Sequence, residues 1–265
     1  MASQASTNAA LTPSALPLFY NDIVPLSSVD HASWRIRPAG EAKFLRTHHA
    51  VPVTIEEFAT AQRHFPIIFS VGDNPVPLAL MGLNEGINTF IDEDGKASDN
   101  SIYIPAYVRR YPFLLAKLRP DSEDLSLCFD PTTDTIGAFD DGEALFDGDK
   151  PSEVVQRVLS FCEQFEQAGL KTGQFMAELA EHKLLMDGEV SIQTETQEQP
   201  FVYRGFQMVD ETKLRDLRGD VLRKMMQSGL LPLVHAHLLS LQNMRDIFAR
   251  QVAQGFLPPT NAPAA

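Results

Sequence analysis

Cysteine is scarce in this sequence: Cys128 and Cys162 are the only two in 265 residues. Two thiols cannot build the disulfide framework of a small secreted domain. Both sit beside a phenylalanine, so buried free thiols of a reducing compartment are expected. Apolar runs are short, and none approaches the roughly 18 residues that a membrane-spanning helix needs. Lysine and arginine are missing from the first thirty positions, and Pro13 and Pro17 interrupt the stretch Ala10–Phe19. That is a poor secretory signal, so a cytoplasmic location is expected, with export by another route left open. Phosphate-cradling glycine loops, a Gly-x-Ser-x-Gly elbow and a Cys-x-x-Cys pair are all absent from the chain, which removes the usual nucleotide, hydrolase and thiol-redox signatures.

Positive charge is also missing where negative charge is densest. Residues 121–149 hold ten acidic residues and no Lys or Arg, in a chain of net charge −13. Polyanionic nucleic acid would be repelled there, and no basic stripe with interleaved aromatics appears elsewhere, so nucleic-acid binding is not expected. Clustered carboxylates also suit hard cations, but Asp92-Glu93-Asp94-Gly95 lacks the spacing and closing Glu of a calcium loop. Solvated turns with carboxylates capping amides are the expected use of these residues.

What is present is an ordinary globular composition, 44% hydrophobic and 22% charged, enough for a large core without staples. The order of patterns predicts an α+β fold, with a mixed, mostly antiparallel sheet in the N-terminal half and a helical C-terminal half. Residues 1–18 and 253–265 read as flexible tails. Between them, 19–150 reads as a strand-rich part carrying the acidic loop 121–149, and 151–252 as a mainly helical part packed on it. Thr54 and Glu57 form a capping box that opens a helix running to Phe65, before Pro66. Strands are expected over Ala32–Arg37, Ile67–Val71, Leu78–Leu83 and Pro200–Gln207. Hairpins are expected around Asp94-Gly95 and around Pro120-Asp121. Pro105 opens a short helix, Ala106–Arg110, ended by Tyr111-Pro112. Further helices are expected from Ser152 to Gly169, from Thr172 to Asp187-Gly188, and over 210–218, 220–228 and 231–251. Gly219 and Gly229 are placed as left-handed C-caps.

Two groups of residues carry candidate chemistry. His235 and His237 are a weak metal pair, because residues two apart on a helix face different ways; no metal is assigned, and the cofactor is left open. The stronger group is basic. Residues 31–64 hold His31, His48, His49 and His64 beside Arg35, Arg37, Lys43, Arg46 and Arg63. Together with Arg109 and Arg110, and with Tyr107 among several nearby aromatics, these can form a pocket for a carboxylate or phosphate. The alternative is that the arginines pair internally with the chain's many carboxylates.

Several blocks taken together resemble the SapC family. They are Phe19-Tyr20 to Leu26 with His31, Phe44 to Val53 followed by Glu56-Glu57-Phe58, Phe65 to Phe69, Gly82 to Phe90, Tyr103 to Phe113, and Gly229 to Asn243. The resemblance covers about residues 19–250. It implies a bacterial protein of the kind labelled surface-layer or envelope associated, and it carries over no catalytic residues. The expectation is therefore an accessory or binding protein, non-enzymatic, with Arg46, His48, His49, Tyr107, Arg109 and Arg110 meeting a small anionic ligand or a protein partner. One alternative is a metal-dependent enzyme acting on a carboxylate- or phosphate-bearing substrate or peptide. Another is an adaptor that docks a basic partner through the acidic segment.

Overall fold

A computed structural model describes residues 16–38, 40–99, 101–119, 124–193 and 200–256. Residues 1–15 and 257–265 of the expected tails, and the turn at Pro120-Asp121, lie outside the described residues. In chain order the strands are β1 (Val24–Pro25), β2 (Arg35–Ile36), β3 (Ala50–Pro52), β4 (Ile67–Phe69), β5 (Pro77–Leu80), β6 (Phe113–Lys117), β7 (Leu125–Phe129), β8 (Ile136–Gly137), β9 (Glu143–Ala144), β10 (Phe146–Asp147), β11 (Lys150–Pro151), β12 (Leu185–Ile192) and β13 (Phe201–Val209). The α-helices are α1 (Phe58–Ala61), α2 (Ala106–Arg110), α3 (Glu153–Glu181), α4 (Glu211–Arg215), α5 (Gly219–Gln227), α6 (Leu230–Ser240) and α7 (Met244–Ala253). The α+β expectation holds, with antiparallel pairing throughout the named strands. No helix among the described residues is long and apolar enough to cross a membrane.

The chain divides into two compact units, each built from two stretches. The smaller joins the described residues up to Arg37 with Tyr111–Ser152. Its sheets run β1-β7-β6, β8-β2-β9 and β10-β11. Tyr20, Leu114 and Cys128 form one of its apolar clusters, and the Tyr20 hydroxyl donates to the Phe113 carbonyl at 2.6 Å. Burial pushes the Cys128 thiol up to about 11, and Cys162 in the other unit matches it, so both are inert free thiols. The acidic stretch is partly structural. Asp130 is fully buried, and its carboxylate accepts from the Asn21 amide at 2.7 Å, the Thr132 amide at 2.8 Å and the Thr132 hydroxyl at 2.7 Å. Asp141 pairs with Arg37, whose guanidinium lies over Phe139 at 3.7 Å.

The larger unit joins Pro38–Arg110 with the residues from Glu153 onward. Its sheet has the order β12-β13-β4-β5-β3, so two of its strands come from the half of the chain expected to be helical. The expected second helix, ending at Asp187-Gly188, covered the start of Leu185–Ile192, and the rest of that strand was not anticipated. Instead it forms a long hairpin with β13, irregular between Gly188 and Val190. Phe58, Phe65, Ile67 and Phe69 are fully buried in this unit with Leu179, Leu184, Met225, Met244 and Ile247.

Helix α3 replaces two expected helices. The buried positions Val155, Cys162, Ala168, Thr172, Phe175, Met176 and Leu179 keep one apolar stripe through Gly169 and Gly173, and packing of that stripe overrides the weak glycine positions. Thr172, expected to start a helix, lies inside one: its hydroxyl donates to the Ala168 carbonyl at 2.7 Å and accepts the Ile55 amide at 3.0 Å. The helix ends with Lys183 at φ +54°, where the Leu184 amide reaches back to the Leu179 carbonyl at 2.9 Å. A glycine avoids the Cβ clash of that left-handed cap. Lys183→Gly is expected to raise stability by about 0.5–1 kcal/mol, read as a higher urea midpoint at unchanged slope.

Other departures also have local causes. The Thr54 helix shortens to a 3-10 turn, Ile55–Glu57, and α1. Asp94-Gly95 closes a short antiparallel turn, with arms shorter than expected: Ile91 bridges Ala97, the Asp92 amide donates to the Lys96 carbonyl at 2.9 Å and the Ser98 amide to the Phe90 carbonyl at 2.8 Å, and the Asp92 carboxylate caps the amides of Asp94 and Lys96 at 3.0 and 2.8 Å. The long final helix breaks into α6, a 3-10 turn at Leu241–Asn243, and α7. At the break the Ser240 hydroxyl donates to the His237 carbonyl at 2.6 Å and accepts the Ile67 amide at 2.8 Å, a side-chain competitor for the helical ladder. Gly229 has the expected left-handed φ of +79°, but Gly219 begins α5, since extended Arg218 has already reset the chain.

Candidate functional site

The chemistry of the larger unit gathers where α2 begins. Helix α2 is short because Pro105 precedes it and Tyr111-Pro112 follows. Its first amide, Ala106 N–H, donates to Glu57 Oε1 at 2.6 Å. Glu57 is only 6% exposed, yet every lone-pair direction of its carboxylate is used. Oε1 also accepts the Tyr103 hydroxyl at 3.0 Å, and Oε2 accepts the Thr54 amide and hydroxyl, both at 2.9 Å. Four donors are what make a buried carboxylate tolerable. Burial, and then the Glu57 charge, push the Tyr103 phenol up, with Arg109 opposing.

Arg109 follows from this anchor. Its side chain is exposed, but the guanidinium is fixed: Nε donates to the Ile104 carbonyl at 3.0 Å, and Nη2 donates to the Tyr103 hydroxyl at 3.2 Å. The rings of Tyr103 and Phe161 lie 5.7 and 5.2 Å from its Cζ. Among the described residues no carboxylate forms an ion pair with it. The Nε and Nη2 bonds occupy one side of the five-donor fork. The parallel N–H groups of Nη1 and Nη2 at its end stay available, the geometry that grips a carboxylate or phosphate with two bonds.

The other candidates are placed differently. Arg110 points inward, 7% exposed, over the rings of Tyr107 and Phe165 at 4.8 and 4.4 Å, with Nη1 3.4 Å from Glu166. Tyr107 is buried and meets Phe165 edge to face. Arg46 is exposed and contacts Glu93 at 3.5 Å. His48 Nδ1 lies 2.7 Å from the Phe44 carbonyl, and His49 is half-buried, with burial lowering its pKa against the pull of Glu85. Buried Asn88 ties their turn together by donating to the carbonyls of Leu45 and His48 at 3.0 and 3.2 Å. Lys43 pairs with Glu41.

Arg35 and Arg37 belong to the smaller unit with His31. Arg35 donates to the Gly142 carbonyl at 2.8 Å, and the His31 ring packs edge-on against Trp34 and Phe129. The basic stretch 31–64 is therefore divided between the units, and internal pairing accounts for much of it.

His235 and His237 face apart on α6, His235 exposed and His237 fully buried. His237 Nδ1 lies 2.7 Å from the Ile67 carbonyl, and Nε2 accepts the Val209 amide at 3.1 Å. Both ring nitrogens are thus engaged by backbone, so His237 serves the sheet and not a metal. Among the described residues no group of three or more His, Cys, Asp or Glu is placed to hold a metal ion.

Sequence reasoning missed Glu57, Tyr103 and Phe161 as members of the site. Glu57 was legible as a helix cap and Tyr103 as one aromatic among many. The usable signal was the pairing of a cap carboxylate with the Tyr-x-Pro-Ala-x-x-Arg run of residues 103–109. A family model described as SapC matches residues 26–247 of the chain. No curated protein matches, and no solved structure matches.

Proposed function

The chain belongs to the SapC family, and we propose that it is a non-enzymatic accessory or binding protein, of the cytoplasm or cell envelope, that takes an anionic group of a ligand or partner at Arg109. The observation that carries this reading is an exposed guanidinium pinned by a carbonyl and a phenol, with no carboxylate paired to it among the described residues and one fork left open. A guanidinium held in this way has little rotamer freedom left to lose on binding. Arg46 and Arg110 already contact carboxylates, so neither is the point of contact.

Titration of the full chain with inorganic phosphate and with succinate tests the reading, followed through the Nε–H signal of Arg109. Saturable shifts are expected, and Arg109→Gln should weaken binding about tenfold or more, the worth of a two-pronged charged contact. Equal affinity in wild type and Arg109→Gln would sink the proposal. Turnover of a phosphate- or carboxylate-bearing substrate that disappears in Arg109→Gln would replace it with an enzyme.

A further inference from the structure

We propose that Glu57 and Tyr103 are the positioning residues of this anion site, acting as a one-way relay that aims the Arg109 fork; the inference rests on the binding reading above. The direction follows from proton counting. A carboxylate can only accept, and a phenol has one proton to give. Tyr103 gives that proton to Glu57 at 3.0 Å, so toward Arg109 it presents a lone pair, which receives Nη2–H at 3.2 Å. Each bond in such a chain polarises the next, and the negative end makes the phenol oxygen a better acceptor for the guanidinium.

The same carboxylate also fixes the platform. Oε1 holds the Ala106 amide, where α2 starts, three residues before Arg109 on the same helix. Oε2 holds Thr54 through its amide and hydroxyl, and the Ile55 amide is tied to Thr172 on α3. Lys171 of α3 pairs with the neighbouring Glu56 at 2.6 Å. One buried charge thus links the helix that carries the arginine, the phenol that steers it, and the long helix whose Phe161 flanks it at 5.2 Å. Glutamine cannot substitute, because its amide nitrogen would face two of the four donors.

Tyr103→Phe keeps the ring and removes the relay. In this variant of the full chain, phosphate affinity measured well below the unfolding midpoint is expected to fall about fivefold, the effect of one hydrogen bond; the midpoint falls as well, because buried Glu57 loses one of its four donors. The Arg109 Nη signals give a readout that a purely structural role would leave alone. They should be resolved and slowly rotating in wild type, and averaged in Tyr103→Phe. Glu57→Gln should lose both the affinity and the resolved signals; if it fails to fold, Tyr103→Phe still decides. Unaltered Nη signals and unaltered affinity in Tyr103→Phe overturn the relay. A wild type blind to phosphate and succinate overturns the binding reading, whereas averaging of the Nη signals in Tyr103→Phe supports the relay on its own.

Discussion

Replacing His237 with alanine is expected to cost about 4 kcal/mol of stability and to flatten the protein's acid sensitivity. The imidazole stands inside a β-ladder. Strands β4 and β13 pair at Phe69 and Gln207, so two residues further along this antiparallel register Ile67 would stand opposite Val209. There the direct bond is replaced by the ring, with the Val209 amide entering at Nε2 and the Ile67 carbonyl accepting from Nδ1. Alanine leaves a buried donor, a buried acceptor and a void beside Phe69, whose ring lies 4.5 Å from the imidazole centroid.

The pH dependence has a definite direction. Burial lowers the His237 pKa to about 4, against about 6.5 in the unfolded chain. Between those values the unfolded state binds a proton that the native state refuses. The contribution is therefore complete above pH 6.5 and is lost as pH falls toward 4, amounting to about 3 kcal/mol across the window. Urea midpoints at pH 7 and pH 4.5 should differ far more in wild type than in His237→Ala. A variant with the full acid dependence would assign it to other groups.

Arg110→Ala carries the second large effect, a loss of about 3 kcal/mol. The change removes a cation from over two rings, at 4.8 and 4.4 Å. It also removes the contact with Glu166 and the packing of a side chain that is 7% exposed. Arg110→Met restores the volume but not the charge, and should recover roughly half of the loss. Because Arg110 acts through packing and Arg109 through solvent, the adjacent variants should separate cleanly. Arg110→Ala is read in the thermal midpoint, and Arg109→Gln in anion affinity.

The parts of the fold legible in sequence were those decided within a few residues. Helix α2 was expected over the residues it occupies, because Pro105 and Tyr111-Pro112 bound it on both sides. The β6–β7 pair followed from two apolar runs either side of Pro120-Asp121, and the Glu57 cap from its spacing to Thr54. The misplaced elements were decided by distant contacts. Nothing local says that Leu185–Ile192 is a strand, since β13 supplies its partner, and nothing at Gly169 says that α3 continues, since the buried stripe beyond it does. The site followed the same rule. Residues 31–64 supply cations in number, but carboxylates that take two of them lie far along the chain, Asp141 for Arg37 and Glu93 for Arg46, separated by 104 and 47 residues. Tyr103 and Arg109 are six residues apart, but what orients the tyrosine is Glu57, 46 positions earlier.

The clasp on β4 also bears on how the chain must be assembled. The Ile67 amide and carbonyl are closed by Ser240 and His237, 173 and 170 residues downstream. On a ribosome adding residues from the N-terminus, β3, β4 and β5 can pair early, but β4 keeps a bare hydrogen-bonding edge until β13 and α6 emerge. At typical synthesis rates of about 5–20 residues per second, that edge stands open for roughly 10–30 seconds. Contacts of such long sequence separation also make the closing step slow. The late-arriving α6 is thus both a wall of the core and the cover for a strand otherwise open to pairing with another nascent chain.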